Sequence, residues 1–239
     1  MKIEILSLHH DGQEIPWALF EPENADKEYV VLWLQGWSAT IERHREGVER
    51  MAKQTGTTFA MLDYAGHGAN KVPLEQSTKL QQLDEVVAVY DELSRRGYQH
   101  IIAIGGSFGA YMAALLSDRR KVHALVLRAP ANYEDDMFEL PHARTLPEKE
   151  RPVDSMATEA VGKFDGFVYV MEHELDQLVP RKMPRRYFDV AKLGNYLIIP
   201  KTPHSPKQLK DAQAHFDYIE LYLRTIIEGI KLQDGLGSK

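Results

Sequence analysis

Cysteine is absent from this sequence of 239 residues. Without thiols the chain has no disulfide framework, no thiolate metal site and no cysteine nucleophile, which is typical of proteins from the reducing cytosol. No apolar run approaches the roughly 20 residues that cross a bilayer. The beginning of the chain also lacks the basic and apolar regions of a secretory signal. We therefore predict a cytoplasmic protein with no membrane partner.

Long basic runs are missing as well, since 29 Lys and Arg stand against 35 Asp and Glu and leave a net charge of −6. This balance argues against nucleic acid as a partner. No glycine-rich loop ends in Lys-Ser/Thr, which excludes a P-loop for nucleotides. The histidines never repeat a metal-ligand spacing, so we predict neither a metal nor a cofactor. The predicted partner is a small molecule, and nothing in the pattern indicates an oligomeric state.

Short apolar runs alternate with longer amphipathic stretches along the chain. Several of the runs are apolar throughout, as expected for strands covered by helices on both faces. The first two runs are separated only by a loop, which favours an antiparallel pair before strand–helix alternation begins. The order predicts an α/β fold with an open, mostly parallel sheet and an antiparallel edge. The predicted strands are Lys2–Leu8, Ile15–Phe20, Tyr29–Leu34, Thr58–Leu62, His100–Ile104, Ala124–Leu127, Phe167–Met171 and Tyr196–Ile199.

The sequence between the predicted strands contains residues that are typical of helix starts and ends. Ser77 is a predicted N-cap of a helix that ends at Gly97, and Ser205 followed by Pro206 predicts the start of the last helix. Residues 129–165 interrupt the pattern with prolines and acidic residues. This segment is too short for a domain and long enough for a lid over the carboxyl edge of the sheet. We predict a single domain, residues 1–239, with a lid insertion at about 129–165.

One segment carries a motif for chemistry. Residues 105–109 read Gly-Gly-Ser-Phe-Gly between an apolar strand and a helix of small residues, which is the strand–turn–helix context of a nucleophile elbow. The sharp turn predicts a strained Ser107 with its hydroxyl clear of the sheet. A Cβ at Gly105 or Gly109 would collide with neighbouring chain. The alternative interpretation is an ordinary tight turn with a polar tip.

The elbow resembles that of the α/β-hydrolase family, especially its prolyl-oligopeptidase and small-esterase branches. The resemblance extends from about Tyr29 to the last helix. It implies the α/β-hydrolase fold, with a mostly parallel eight-stranded sheet flanked by helices and a nucleophile after the fifth strand. In this family the catalytic residues follow the chain order Ser, acid, His.

The resemblance assigns the remaining two members of a triad. Asp176 lies in an Asp-x-x-Val-Pro segment that is similar to the acid-bearing segment of the family. His173 stands where the family usually has glycine, which keeps Glu174 as a second candidate for the acid. His204, between the last strand and the last helix, matches the catalytic base.

The same resemblance identifies two backbone donors for an oxyanion hole. One is the N–H of Phe108, directly after the serine, and the other is the N–H of Trp37. Gln35 replaces the usual histidine before Trp37, which changes the support of the loop rather than the donor. We interpret the Asp-x-x-Gly-x-Gly turn that begins at Asp63 as scaffold whose carboxylate binds nearby N–H groups, and His67 in it as structural or solvent-facing.

Together these residues predict a serine hydrolase that cleaves a small carboxylic ester through an acyl-enzyme intermediate. Two alternatives remain open. A serine exopeptidase would use the acids of the lid to hold a free amino terminus, and a ligand-binding protein would keep the fold without turnover. The substrate is accordingly an ester or an aminoacyl compound. The acids of the lid are Glu134, Asp135, Asp136 and Glu139.

Overall fold

The computed structural model describes residues 1–144, 152–205 and 209–237. Within these ranges eight strands form one sheet, and each predicted strand lies inside an observed one. The strands are β1 (Lys2–His10), β2 (Gln13–Glu21), β3 (Asp26–Leu34), β4 (Thr57–Leu62), β5 (His100–Gly106), β6 (Ala124–Arg128), β7 (Phe167–His173) and β8 (Gly194–Ile199). The helices are α1 (Ile41–Thr55), α2 (Lys79–Arg95), α3 (Phe108–Arg119), α4 (Met156–Lys163), α5 (Lys182–Val190) and α6 (Ala212–Gly237).

The strands lie in the order β1-β2-β4-β3-β5-β6-β7-β8. The predicted antiparallel pair is confirmed as β1 and β2. β2 is also antiparallel to β4, while β3 to β8 pair in parallel. The reversed strand is therefore β2, one position in from the edge, and β1 runs in the same direction as the main sheet.

Helices cover both faces of the sheet. On one face α2, α3, α4 and α5 pack against strand residues such as Leu125 and Leu127. On the other face α1 and α6 pack against Ala124 and Val126. Because side chains alternate along a strand, Arg128 at the end of β6 falls on the α1–α6 face. Cover on both faces explains why the central strands read as continuous apolar runs.

Two helix starts differ from their predictions. α2 begins one residue later than predicted, with Thr78 as its N-cap: its Oγ1 accepts a 3.0 Å hydrogen bond from the N–H of Gln81. The described part of α6 begins at Ala212, whereas the sequence predicted a start at Ser205. Ser205 instead belongs to a loop that lines a cavity at the carboxyl edge of the sheet. Pro206 lies outside the described residues.

The predicted insertion has two described parts. Its first part, 129–144, crosses the carboxyl edge, where the ring of His142 lies 4.6 Å from that of Trp37. Its later part includes α4, where Ala157 and Val161 are buried in the core. Residues 145–151 lie outside the described residues. The division into one domain with a lid stays a prediction. No helix of the described chain is both long and apolar enough to pass through a bilayer.

Candidate active site

Ser107 makes the turn between β5 and α3 by itself, because the strand ends at Gly106 and the helix begins at Phe108. Its φ of +54° lies in the left-handed region, which costs of order 1–3 kcal/mol for a residue with a side chain. Two hydrogen bonds hold the conformation. The N–H of Ser107 donates to the carbonyl of Arg128 at 2.9 Å, and its own carbonyl accepts from the N–H of Ala110 at 3.1 Å.

The glycines on either side of this turn are required by close backbone contacts. A Cβ on Gly105 would run into the backbone of Gly109, and a Cβ on Gly109 would run into the carbonyl of Leu34. Both atoms belong to main chain that cannot move aside without shifting α3 or β3. The strained serine and the collisions expected at both glycines are therefore present at the elbow.

Asp176 and His204 are hydrogen-bonded to each other. His204 Nδ1 donates to Asp176 Oδ2 at 2.7 Å, while the other carboxylate oxygen, Oδ1, accepts the backbone N–H of Leu178 at 2.8 Å and of Val179 at 2.9 Å. Burial acts to raise the pKa of Asp176, but the hydrogen bonds from His204 and the backbone outweigh it, and the pKa lies below its ordinary value. The carboxylate therefore stays ionised and fixes the orientation of the imidazole.

Ser107 and His204 line the same cavity of about 880 Å³ at the carboxyl edge of the sheet. Since Nδ1 of His204 is the donor to Asp176, its Nε2 carries the lone pair that can accept a proton. Glu174, the second candidate for the acid, has a different role in the structure. Its carboxylate accepts the backbone N–H of Lys201 at 2.6 Å and so supports the loop after β8.

The loop after β3 lies directly against the elbow. A Cβ on Gly36 would be 3.2 Å from the carbonyl oxygen of Gly106, and the ring of Trp37 packs edge-on against Phe108 with centroids 5.1 Å apart. No acceptor for the Trp37 N–H occurs among the described residues, and the N–H of Phe108, in the first turn of α3, has none within its helix. Gln35 supports this loop, because its side chain donates to the carbonyl of Leu62.

The turn after β4 supports the site because it holds the start of α1. Asp63 Oδ1 accepts the N–H of Ile41, the first residue of α1, at 2.8 Å, and Oδ2 accepts the N–H of Ala69 at 2.9 Å. The predicted binding of Asp63 to nearby N–H groups is thus observed. His67 packs edge-on against Trp37 with centroids 5.0 Å apart, and burial lowers the pKa of His67. A neutral, packed imidazole agrees with the structural role predicted for it.

Sequence reasoning missed Arg128, whose side chain lines the cavity. Burial lowers the pKa of its guanidinium to about 10, and no carboxylate of the described residues counteracts this shift. The alternation along β6 was the available signal, because Arg128 follows Ala124 and Val126 on the α1–α6 face. His173 shares the cavity wall, and burial followed by the charge of Arg128 lowers the pKa of His173 to about 4.

His173 is held in one tautomer by the loop that carries His204. Its Nδ1 lies 2.8 Å from the carbonyl oxygen of Pro203 and must be the donor there. Its Nε2 is buried and finds no hydrogen-bond partner in the described part of the chain. Within the same part, no three His, Asp or Glu side chains come together in a way that could hold a metal ion.

Comparison with known proteins gives structural likeness only. No protein-family model matches the sequence, and no curated protein matches it. An esterase from Butyrivibrio proteoclasticus with ferulic acid bound superposes with a TM-score of 0.74 at 18% identity, over 95% of this chain and 98% of the esterase. A putative hydrolase from Agrobacterium vitis gives 0.69 at 19% identity, over 92% and 99%. A thioesterase domain from the curacin biosynthetic pathway gives 0.69 at 16%, over 95% and 99%.

This chain therefore shares its architecture, a mostly parallel eight-stranded sheet with helices on both faces, with proteins of known structure. The likeness covers nearly the whole of each chain and confirms the predicted α/β-hydrolase fold. At identities below one fifth it establishes the fold alone. Any activity has to be inferred from the residues at the carboxyl edge of the sheet.

Proposed function

We propose that this protein is a serine hydrolase that cleaves a small carboxylic ester through an acyl-enzyme intermediate. One observation carries the proposal: His204, which is paired with Asp176 at 2.7 Å, lines the same cavity as Ser107, and Ser107 occupies a strained elbow. Strain of this kind persists where surrounding structure enforces it, and it is concentrated at functional sites. The esterases and the thioesterase domain of the same fold make hydrolysis of an acyl compound the natural class.

In the proposed reaction the Ser107 hydroxyl attacks the ester carbonyl while His204 Nε2 takes its proton. The N–H groups of Trp37 and Phe108 stabilise the oxyanion. The imidazolium then protonates the leaving alcohol, and the acyl group remains on the serine. Water, deprotonated by His204, attacks the acyl-enzyme, and the imidazolium returns that proton to Oγ of Ser107 as the acid leaves. Asp176 stays ionised throughout and stabilises the imidazolium.

The exopeptidase alternative is less well supported. It uses the acids of the predicted lid to hold a substrate amino group, and none of these four acids lines the cavity. Asp135, one of them, is instead engaged in accepting the N–H of Met156 at 3.0 Å. The geometry thus favours an ester over an aminoacyl substrate.

A fluorophosphonate probe and two chromogenic substrates test the proposal. We expect the wild type to be labelled and to hydrolyse p-nitrophenyl acetate, and the Ser107→Ala variant to do neither. Ser205→Ala is the matched control, since Ser205 also lines the cavity, and it should behave as the wild type. Turnover of aminoacyl p-nitroanilides alone would favour the exopeptidase. A folded wild type that is not labelled would favour a binding protein and would contradict the proposal.

A further inference from the structure

Arg128 lies directly beside the candidate nucleophile. It ends β6, and in the sheet register it pairs with Gly106, the residue before Ser107. A Cβ added to Gly106 would lie 2.6 Å from Nη2 of Arg128. The guanidinium therefore rests against the backbone of the elbow, and it lines the same cavity as Ser107 and His204.

The guanidinium of Arg128 has no carboxylate partner among the described residues. More exposed arginines of the protein do have one: Arg120 binds Asp91 at 2.6 Å, and Arg186 binds Asp154 at 2.6 Å. A guanidinium stays charged in a protein, and burying an unpaired charge costs several kcal/mol. Arg128 is therefore a half-buried cation beside the elbow, and no carboxylate of the described residues neutralises it.

The other charged groups of the cavity wall do not supply the missing anion. Glu220 is engaged by Arg50, whose Nε lies 2.7 Å from its Oε2, and Glu46 is exposed on α1. Neither counteracts the shift in the pKa of Arg128. His173 is neutral because of its lowered pKa and adds no second positive charge. The cavity wall thus holds the guanidinium of Arg128 beside the elbow with no carboxylate of the described residues against it.

We infer that Arg128 binds a carboxylate of the substrate, so that the preferred substrate is an ester carrying a second, ionised carboxyl group. This inference rests on the proposed function. The planar fork of a guanidinium matches a carboxylate with two parallel hydrogen bonds. In a chain with a net charge of −6, such a site gives anionic substrates a local attraction.

Paired substrates that differ only in charge test the inference. On the acyl side we would compare p-nitrophenyl glutarate monoester with p-nitrophenyl glutaramate, in which a neutral amide replaces the carboxylate. On the alcohol side we would compare p-carboxyphenyl acetate with p-carbamoylphenyl acetate. We expect the wild type to prefer the charged member of at least one pair by about tenfold to 100-fold in kcat/KM.

The Arg128→Met variant should lose this preference while its kcat/KM for the neutral member stays within about threefold. Arg128→Lys keeps the charge without the fork and should retain part of the preference. Arg43→Met is the matched control, because Arg43 lines the cavity and donates to the carbonyl of Ser38 at 3.1 Å. It should keep the wild-type preference. No preference in either pair, or a preference that survives Arg128→Met, would overturn the inference.

A binding measurement covers the case in which Arg128→Met does not fold. Calorimetry on the Ser107→Ala variant should detect binding of glutarate or p-hydroxybenzoate and at least tenfold weaker binding of the matching amide, about the loss expected for a charge-assisted hydrogen bond. Equal binding of acid and amide contradicts the carboxylate site but leaves ester hydrolysis standing. Binding of the acid by a wild type that hydrolyses no ester would contradict the proposed function and retain the site.

Discussion

Asp63 and Asp176 are both buried aspartates at the carboxyl edge of the sheet, but their oxygens are used differently. One carboxylate oxygen of Asp63 accepts a hydrogen bond from the N–H of Ile41, and the other accepts one from the N–H of Ala69. Asp176 accepts two backbone N–H groups on Oδ1 alone and so keeps Oδ2 for His204. Identical side chains thus become a structural anchor in one loop and a group available to a reactive side chain in the other.

The same contrast separates two charged side chains at the ends of neighbouring strands. Glu172 in β7 is paired with Arg181 at 2.7 Å and also accepts the hydroxyl of Tyr196. Arg128 in β6 has no such partner in the described chain. Charged groups that are fully hydrogen-bonded within the protein stabilise the fold. Charged groups that can still form hydrogen bonds indicate where a substrate is expected to bind.

The largest effect should follow from Asp176→Asn. The amide would turn its NH₂ group toward Nδ1 of His204 and favour the tautomer with the proton on Nε2, which cannot act as a base. We expect kcat/KM for p-nitrophenyl acetate to fall about 1000-fold or more. Asp63→Asn is the control, and its rate should stay within about tenfold of the wild type. Similar rates for the two variants would contradict the different roles that we assign to the two aspartates.

The second effect concerns stability, and here we expect replacement of Asp63 to have a larger effect than replacement of Asp176. Asp63→Ala removes both acceptors and leaves the buried N–H of Ile41 and the N–H of Ala69 without their carboxylate partner. We expect the free energy of unfolding, measured by urea denaturation, to fall by about 2–4 kcal/mol. Asp176→Asn, which keeps an acceptor for its loop, should lose about 1 kcal/mol or less. A larger loss of unfolding free energy for Asp176→Asn than for Asp63→Ala would contradict the assignment of Asp63 as the structural residue and Asp176 as the residue of the site.

The smallest effect is a pH dependence that originates in the scaffold. Glu85 accepts the N–H of Ala65 and an amide hydrogen of Asn70, and burial raises its pKa from 4.5 to about 7. Between these two values the folded state binds more protons than the unfolded state, so the contribution of Glu85 to stability decreases as the pH rises. From pH 5 to pH 8 this contribution should decrease by about 2 kcal/mol.

Glu85→Gln should remove that part of the pH dependence. Relative to the wild type, the variant should gain about 2 kcal/mol in unfolding free energy between pH 5 and pH 8. Glu75→Gln, at an exposed position, serves as the control and should show no such gain. An identical pH profile for Glu85→Gln and wild type would mean that Glu85 does not titrate with folding.

Much of the fold could be predicted because its signals are local. The strands are continuous apolar runs, and the elbow at Ser107 needs only its own glycines and the elements on either side. The pairing of Asp176 with His204 was accessible through the resemblance in chain order. These elements depend little on what the distant parts of the chain do.

The remaining features depend on distant contacts. Ser205 and Pro206 form a local helix-start pattern, yet Ser205 lines the cavity and the described helix begins at Ala212. The position of β2 inside the edge depends on its pairing with β4. Likewise the sequence shows an arginine at position 128, but only the packed structure shows that no carboxylate of the described residues approaches it.

Residue 128 serves the site twice, through two chemically separate groups. Its main-chain carbonyl accepts a 2.9 Å hydrogen bond from the N–H of Ser107, and any amino acid at this position would have that carbonyl. Its side chain reaches the cavity independently. Replacement of this one side chain, by natural drift or in the laboratory, should therefore redirect the choice of substrate while leaving the reactive hydroxyl where it is.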